Sequence, residues 1–225
     1  LKLLITNKRI DWGFKQSILM IQSRLQQIMR RTGDKVLLIT STIPAEGKTM
    51  TSVNMALAFA QEGMKVALLD GDLRKPSVSE LMKLPEGPGL TEYFRGESTP
   101  EEIQVVKDGV TFFRAGQKKG KVSGLIDEEK MNSLLEKLRK EYDVILMDLM
   151  MPVMGGLEAS QRIRMMSRED AKTIPIIAMT ANAFADDEER SLSAGMDAHI
   201  SKPLDAEQFI QVISDICRKR KNHIT

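Results

Sequence analysis

The chain is poor in cysteine, in aromatic side chains and in net charge. Its one cysteine, Cys217, has no partner for an internal disulfide, so a disulfide framework is excluded and a reducing compartment is favoured. The formal net charge of +2 gives no strong overall field, so no nucleic acid partner is expected. No apolar run reaches the roughly 18 residues that a membrane-spanning helix needs. We therefore expect a cytoplasmic globular protein.

Short apolar runs alternate with helical patterns along the whole chain, which has room for one large or two small domains. Strands are predicted at 35–40, 65–70, 110–114, 143–147, 174–179 and 198–201, and helices at 11–30, 48–61, 90–95, 100–106, 127–140, 157–166, 185–194 and 205–218. Strand, helix and strand within the segment 35–70 imply a right-handed parallel crossover. The predicted fold class is α/β, a three-layer sandwich around a mainly parallel sheet.

A loop typical of phosphate binding occupies residues 41–49, between a predicted strand and a predicted helix. Free N–H groups and the dipole at the helix start attract an anion, and Gly47 lets the backbone come close. Lys48 would reach the outer phosphates, and the Thr49 hydroxyl would bind Mg²⁺. Thr42 stands where such phosphate-binding loops usually have their first glycine. The candidate nucleotide-binding residues are Thr42, Pro44, Glu46, Gly47, Lys48, Thr49 and Thr51. ATP and Mg²⁺ are the expected cofactors, and the simpler alternative is a polar turn.

Two carboxylates follow the strand 65–70, where Asp70 and Asp72 flank a glycine. Ligands bind at the carboxyl edge of open parallel sheets, so these side chains could hold Mg²⁺ or orient a hydroxyl for phosphoryl transfer. A capped turn is the alternative for this pattern taken alone.

Three stretches of the sequence resemble the bacterial tyrosine kinases, which are relatives of the MinD/ParA group of P-loop ATPases. They are Val36 to Ala60, Val66 to Pro76 and Gly89 to Gly96. The resemblance covers residues 11–148 and implies ATP·Mg²⁺ binding, tyrosine autophosphorylation and a link to exopolysaccharide export. It also implies homo-oligomeric rings and a membrane-bound activator, which would bring the chain to the inner face of the membrane. The chain departs from the family in having only two tyrosines, and in the residues that follow Asp148.

A second resemblance begins in the strand that ends at Asp148. Residues 143–216 are similar to two-component receiver domains. Three motifs carry this resemblance: the segment 148–156, the pair Thr180-Ala181 and the pair Lys202-Pro203. This resemblance implies that Asp148 attacks a phosphoryl donor and that Thr180 and Lys202 bind the new phosphate, with a histidine kinase as partner. The acidic pair that closes the first strand of a receiver is missing.

The junction falls inside one strand, and Asp148 belongs to both patterns. We expect a P-loop part at 1–142 and a receiver-like part at 143–225, forming a P-loop/flavodoxin-like hybrid. One merged sheet of about six strands is predicted, because buried strands need neighbours on both sides. The catalytic candidates are Lys48, Asp70, Asp72 and Asp148, and the metal candidates are Thr49, Asp70, Asp72 and Asp148. Three hypotheses follow: a kinase or ATPase, a module phosphorylated on Asp148, and a folded chimera without activity.

Overall fold

The computed structural model divides the chain into two compact units. It describes residues 4–39, 47–117, 125–148, 156–167, 169–172, 174, 176–180, 185–201, 211–212 and 215. Of these, the first unit holds 4–15, 32–39, 47–117 and 125–148, and the second holds 16–31 and the residues from 156 onwards.

Helices and strands follow one another nearly as the sequence predicts. The helices are α1 (Trp12–Thr32), α2 (Lys48–Gln61), α3 (Val78–Met82), α4 (Leu90–Arg95), α5 (Glu128–Glu141), α6 (Gly156–Met165) and α7 (Ala185–Ser193), with a short 3-10 helix at Glu169–Lys172. The strands are β1 (Val36–Ile39), β2 (Val66–Asp70), β3 (Gln104–Lys107), β4 (Val110–Phe113), β5 (Val144–Asp148), β6 (Ile177–Thr180) and β7 (Ala198–Ser201).

The first unit is built on a five-stranded sheet with the order β1-β5-β2-β4-β3. All neighbours in it pair in parallel except β3, which is antiparallel to β4. Every residue of β2 and of β5 is buried, as expected of central parallel strands that are covered on both faces. The prediction of an α/β fold with a mainly parallel sheet is confirmed.

Helices supply the outer layers of this sheet. Alternate residues of a strand point to opposite faces, so Ala67 and Leu69 lie on one face of β2. They join a core cluster with Phe94 of α4 and with Leu134 and Leu138 of α5. Helix α2 contacts β2 and β5 and contributes a separate run of buried side chains between residues 52 and 59. The apolar surface that holds the sheet in place is therefore shared between these helices.

One local prediction in the first unit is wrong. The sequence pattern predicts a helix at 100–106, but the structure has a turn followed by strand β3. Val105 and Val106 are β-branched and favour an extended backbone, and both lie in the ladder with β4. Pairing between strands therefore outweighs the local signals of Pro100, Glu101 and Glu102 for a helix start.

The second unit contains the parallel pair β6 and β7 together with α6 and α7. Arg164 of α6 ties its loops together, because its guanidinium donates to the carbonyl oxygens of Ala171, Ile174 and Gly195 and to the carboxylate of Asp197. The donor-acceptor distances of these four contacts are 2.8–2.9 Å. The guanidinium thus links the end of α6 to the segments before β6 and before β7.

The expectation of one merged sheet is not met among the described residues, whose strands form two separate sheets. Strand β5 has β1 on one side and β2 on the other. A strand has only two hydrogen-bonding edges, so β6 cannot pair with β5 as the receiver pattern requires. Strand β6 pairs with β7 instead. The division into parts at 1–142 and 143–225 stays a prediction.

Two further expectations concern particular segments. Within the part of the chain that the structure describes, no helix is long and apolar enough to cross a membrane. The predicted last helix at 205–218 lies mostly outside the described residues.

Candidate active site

The described part of the phosphate-binding loop begins at Gly47, immediately before α2. Gly47 has a φ of 81°, in the left-handed region that favours glycine. Its carbonyl oxygen accepts from the backbone N–H and from the hydroxyl of Thr51, at 2.9 and 3.1 Å. The Thr51 hydroxyl, predicted to bind nucleotide, therefore has a partner inside the helix. The predicted ligands Thr42, Pro44 and Glu46 lie outside the described residues.

The strands β2 and β5 bring two carboxylates together at the carboxyl edge of the sheet. Asp70 ends β2, Asp148 ends β5, and the parallel register pairs these two residues directly. Both are fully buried, and Asp72 is 6% exposed. The Gly71 N–H donates to the Asp148 carbonyl oxygen at 2.9 Å, which holds the turn after β2 against the end of β5. The predicted acidic residues therefore meet at one place.

Lys48 points its ammonium group into this cluster. Its Nζ lies 3.3 Å from Asp148 Oδ1 and 3.8 Å from Asp72 Oδ2, and only 8% of its side chain is exposed. Interactions between charges are strong at a site so shielded from water. The first turn of α2 and the ends of two strands thus assemble one lysine and three carboxylates.

The carboxylates do not share the same electrostatic environment. Burial and then the charge of Asp148 raise the pKa of Asp70 from 3.8 to about 7, and the N–H of Val78, which donates to its Oδ2 at 3.3 Å, partly opposes this. Burial also raises the pKa of Asp148, while Lys48 and the nearby Thr49 hydroxyl lower it. Burial is therefore the main cause of both shifts, and it brings the pKa of Asp70 near neutral pH.

Several buried polar atoms of the cluster lack a hydrogen-bond partner. They are Lys48 Nζ, Asp70 Oδ1 and both side-chain oxygens of Asp148, although Lys48 and Asp148 form an ion pair. Unpartnered buried polar atoms are rare in native proteins, so each of them calls for a partner such as water, an ion or a ligand. An ammonium donor beside carboxylate acceptors suits a phosphate group together with a hard cation.

The donor set fits Mg²⁺ held jointly with a nucleotide. Among the described residues, no group of three or more acidic, histidine or cysteine side chains could by itself hold a metal ion. Mg²⁺ is bound through one or two carboxylates, substrate phosphates and water, so it needs no such cage. Thr49, Asp70, Asp72 and Asp148 are the residues present to hold it.

One residue of this site was missed by the sequence analysis. The hydroxyl of Ser77 lies 2.8 Å from the hydroxyl of Thr49, the predicted Mg²⁺ ligand. Ser77 follows Pro76 at the end of the segment that starts with Asp70 and Asp72. The available signal was a serine directly after this motif, but only the fold brings it to α2.

The receiver-type residues are placed differently. Thr180 ends β6 and pairs in register with Ser201 of β7, so its strand is not a neighbour of β5. Lys202 lies outside the described residues. Asp148 instead has Lys48 as its charged neighbour, at the 3.3 Å given above.

Two family models match the chain. One, described as "NUBPL iron-transfer P-loop NTPase" of the ParA family, matches residues 33–152, more than half of the chain. The other, the response regulator receiver domain, matches residues 103–214. The receiver match therefore begins well before residue 143, where the sequence analysis placed it, and overlaps the P-loop match.

Individual relatives are likewise either bacterial tyrosine kinases or histidine kinases. Tyrosine-protein kinase CpsD of Streptococcus pneumoniae is 36% identical over 129 residues, covering 52% of this chain and 54% of the relative. The chain thus spans about half the length of this relative. Probable histidine kinase 2 of Oryza sativa subsp. indica is 39% identical over 77 residues, which are 34% of this chain and 7% of that protein.

A solved structure, the chimerical protein CapA2B2, has a similar fold. It aligns with a TM-score of 0.67 at 20% identity over 91% of this chain and 92% of its own. With the P-loop model matched across the residues that form the site, the chain belongs to the ParA family of P-loop NTPases, with homology to bacterial tyrosine kinases and a receiver-domain match in its C-terminal region.

Proposed function

We propose that the chain binds ATP with Mg²⁺ and acts as a P-loop kinase or ATPase. The observation that carries this proposal is the set of buried polar atoms without hydrogen-bond partners on Lys48, Asp70 and Asp148. They converge at the carboxyl edge of two adjacent parallel strands, where ligands bind in open α/β sheets. The membership of the P-loop family supports the same conclusion.

Each residue has a distinct proposed part. Lys48 would leave its carboxylate partners and neutralise charge on the outer phosphates, as an ammonium group does in phosphoryl transfer. Thr49, Asp72 and Asp148 would hold Mg²⁺, which stabilises negative charge on the transferred group. Asp70 Oδ1, on a carboxyl whose pKa is about 7, would accept the proton of the attacking hydroxyl or water.

The acceptor of the phosphoryl group is proposed to be a hydroxyl on another polypeptide segment. The two tyrosines of the chain have structural contacts in the first unit. The Tyr93 hydroxyl donates to the Lys130 carbonyl oxygen at 3.1 Å, and the Tyr142 ring packs edge-on against Phe113. Phosphorylating either one would require breaking these contacts.

The wider cellular setting is also a proposal. By analogy with the tyrosine kinases that it resembles, the chain would work in the cytoplasm, reach the inner face of the membrane through a bound activator, and associate with further copies of itself. No nucleic acid partner is proposed, because the net charge is only +2.

The test is calorimetric titration with a non-hydrolysable ATP analogue and Mg²⁺. Lys48→Ala should weaken binding about 10- to 100-fold, because it removes a charged donor to phosphate. Lys65→Ala is the control, since Lys65 is an exposed lysine just before β2. Circular dichroism checks the folding of both variants. Equal affinity for the wild-type chain and Lys48→Ala would sink the proposal.

A second candidate function is phosphorylation of Asp148 by a small acyl phosphate or a histidine kinase. It is favoured by the receiver match over residues 103–214 and by the position of Asp148 at a strand end. Acetyl phosphate should then add one phosphoryl group that is absent in Asp148→Asn, as mass spectrometry would reveal. A well-folded chain that shows neither nucleotide binding nor this modification would instead be a chimera without activity.

A further inference from the structure

The hydroxyl of Ser77 is directed at the phosphate-binding helix and not at its own helix. Ser77 is the N-cap residue of α3, where a serine side chain normally accepts from a backbone N–H of the first turn. Here the side chain makes no such capping bond. Its oxygen lies 2.8 Å from Thr49 Oγ1, across 28 residues of sequence. The Ser77 side chain therefore contacts Thr49 in the proposed active site and does not cap its own helix.

The backbone fixes Ser77 in this position relative to the carboxylates. The next residue, Val78, donates its N–H to Asp70 Oδ2 at 3.3 Å, and the Ser77 carbonyl oxygen accepts from Leu81 at 3.0 Å. At the other end of the segment, Asp72 Oδ1 accepts from the Lys75 N–H at 2.9 Å. These bonds hold the segment between the acidic pair and α3, and the Ser77 hydroxyl lies 2.8 Å from that of Thr49.

A hydroxyl that binds a cation uses a lone pair of its oxygen, so its hydrogen needs an acceptor elsewhere. Two groups near Thr49 can serve, the carboxylate of Asp148 and the hydroxyl of Ser77. Asp148 is itself a proposed Mg²⁺ ligand, so its carboxylate would divide its lone pairs between the cation and the Thr49 hydroxyl. Ser77 Oγ, at 2.8 Å from Thr49 Oγ1, is the acceptor of the two that binds no cation, and its own hydrogen is free to rotate away.

We propose that Ser77 is a positioning residue that orients the Thr49 hydroxyl toward Mg²⁺. This inference rests on the proposed function, because it assigns Ser77 a part in the same nucleotide site. Groups that hydrogen-bond to metal ligands fix the direction of the ligand lone pair, and their loss lowers metal affinity about 10- to 100-fold. The nucleotide itself is not contacted by Ser77 in this assignment, so only the effect of Mg²⁺ depends on it.

The experiment measures how strongly Mg²⁺ enhances nucleotide binding. ADP is titrated calorimetrically into the 225-residue chain in EDTA and in excess Mg²⁺, and the ratio of the two affinities is the readout. Ser77→Ala should reduce this ratio about tenfold or more while leaving the affinity in EDTA within about twofold. Ser77→Thr should retain the ratio, since it keeps the hydroxyl. The matched control is Ser79→Ala, because Ser79 is an equally half-buried serine of α3.

The variants are expected to fold, since Ser77 makes no capping bond whose loss would weaken α3. Ser77→Gly provides a second variant without the hydroxyl, because glycine is well tolerated at an N-cap. An unchanged ratio in both hydroxyl-free variants would overturn the assignment, and so would an equal loss of affinity in EDTA and in Mg²⁺. If the wild-type chain bound no nucleotide, the proposed function itself would fail and Ser77 would have no cation to position.

Discussion

Replacing Asp70 by asparagine should stabilise the protein in the absence of metal and nucleotide. Asp70 is fully buried beside Asp148, and its pKa is about 7. Above that pH the folded protein must keep an ionised carboxylate away from water. Asparagine is neutral, and its amide oxygen can still accept from the Val78 N–H, which now donates to Asp70 Oδ2. The substitution therefore removes the buried charge and keeps the hydrogen bond.

The magnitude follows from the pKa shift. At about 1.4 kcal/mol per pKa unit, the change from 3.8 to about 7 corresponds to about 4 kcal/mol at pH 8. Between these two pKa values the folded state binds more protons than the unfolded state, so stability falls as the pH rises through this window and levels off above it. At pH 5, which is only about one unit above the pKa of the unfolded carboxyl, asparagine gains about 2 kcal/mol.

The assay is urea unfolding in EDTA at pH 5 and at pH 8 for the wild type and Asp70→Asn. The gain in free energy of unfolding should grow by about 2–3 kcal/mol between the two pH values. Asp127→Asn is the control, because Asp127 is an exposed N-cap that asparagine also suits. A gain of the same size at both pH values, or a loss at pH 8, would refute the reasoning. The same substitution should slow phosphoryl transfer, because Asp70 is the proposed proton acceptor, so stability and function are expected to conflict at this residue.

Two further predictions separate the units by hydrogen exchange of backbone amides. Arg164→Ala removes four contacts that join loops of the second unit, and this should cost about 2 kcal/mol or more of stability. Amide protection should fall in β6 and β7 and be kept in β2 and β4. Phe112→Ala should lower protection in β2 and β4 and keep that in β6 and β7. It should cost about 3–5 kcal/mol, because Phe112 is fully buried in β4. Val106→Ala, whose side chain is 71% exposed, is the control and should change stability by less than about 0.5 kcal/mol. Protection that fell equally in both sheets would contradict these assignments.

The sequence predicts the local parts of this fold well, because they depend on features close together in the chain. The apolar runs of β2 and β5 identify central strands, and the parallel topology then brings Asp70 and Asp148 to one edge. Asp127 begins the helix predicted at 127–140, and as the N-cap of α5 its side chain accepts from the Lys130 N–H at 2.8 Å. In each case the physical cause lies within one element or in the rule that parallel strands end at the same edge.

The features that the sequence did not reveal are those set by distant contacts. Val105 and Val106 form a strand because β4 offers a partner, and nothing in residues 100–106 alone announces that pairing. The contact between Ser77 and Thr49 joins two segments that are 28 residues apart, so no spacing rule could have supplied it. Which strands lie beside β5 is likewise a matter of competition between several candidates.

That competition decides which residues lie beside Asp148. The P-loop pattern and the receiver pattern both include strand β5, but a strand can pair with neighbours at only two edges. Here β1 and β2 occupy them, and the register sets Ile39 and Asp70 beside Asp148. The carboxylate is therefore surrounded by the P-loop lysine and the acidic residues after β2. The pair β6 and β7 keeps its own parallel ladder, because that ladder depends only on the local strand–helix–strand segment between residues 177 and 201. The receiver-like elements can thus persist as structure while the aspartate at the shared strand end lies beside Lys48 in the proposed nucleotide site.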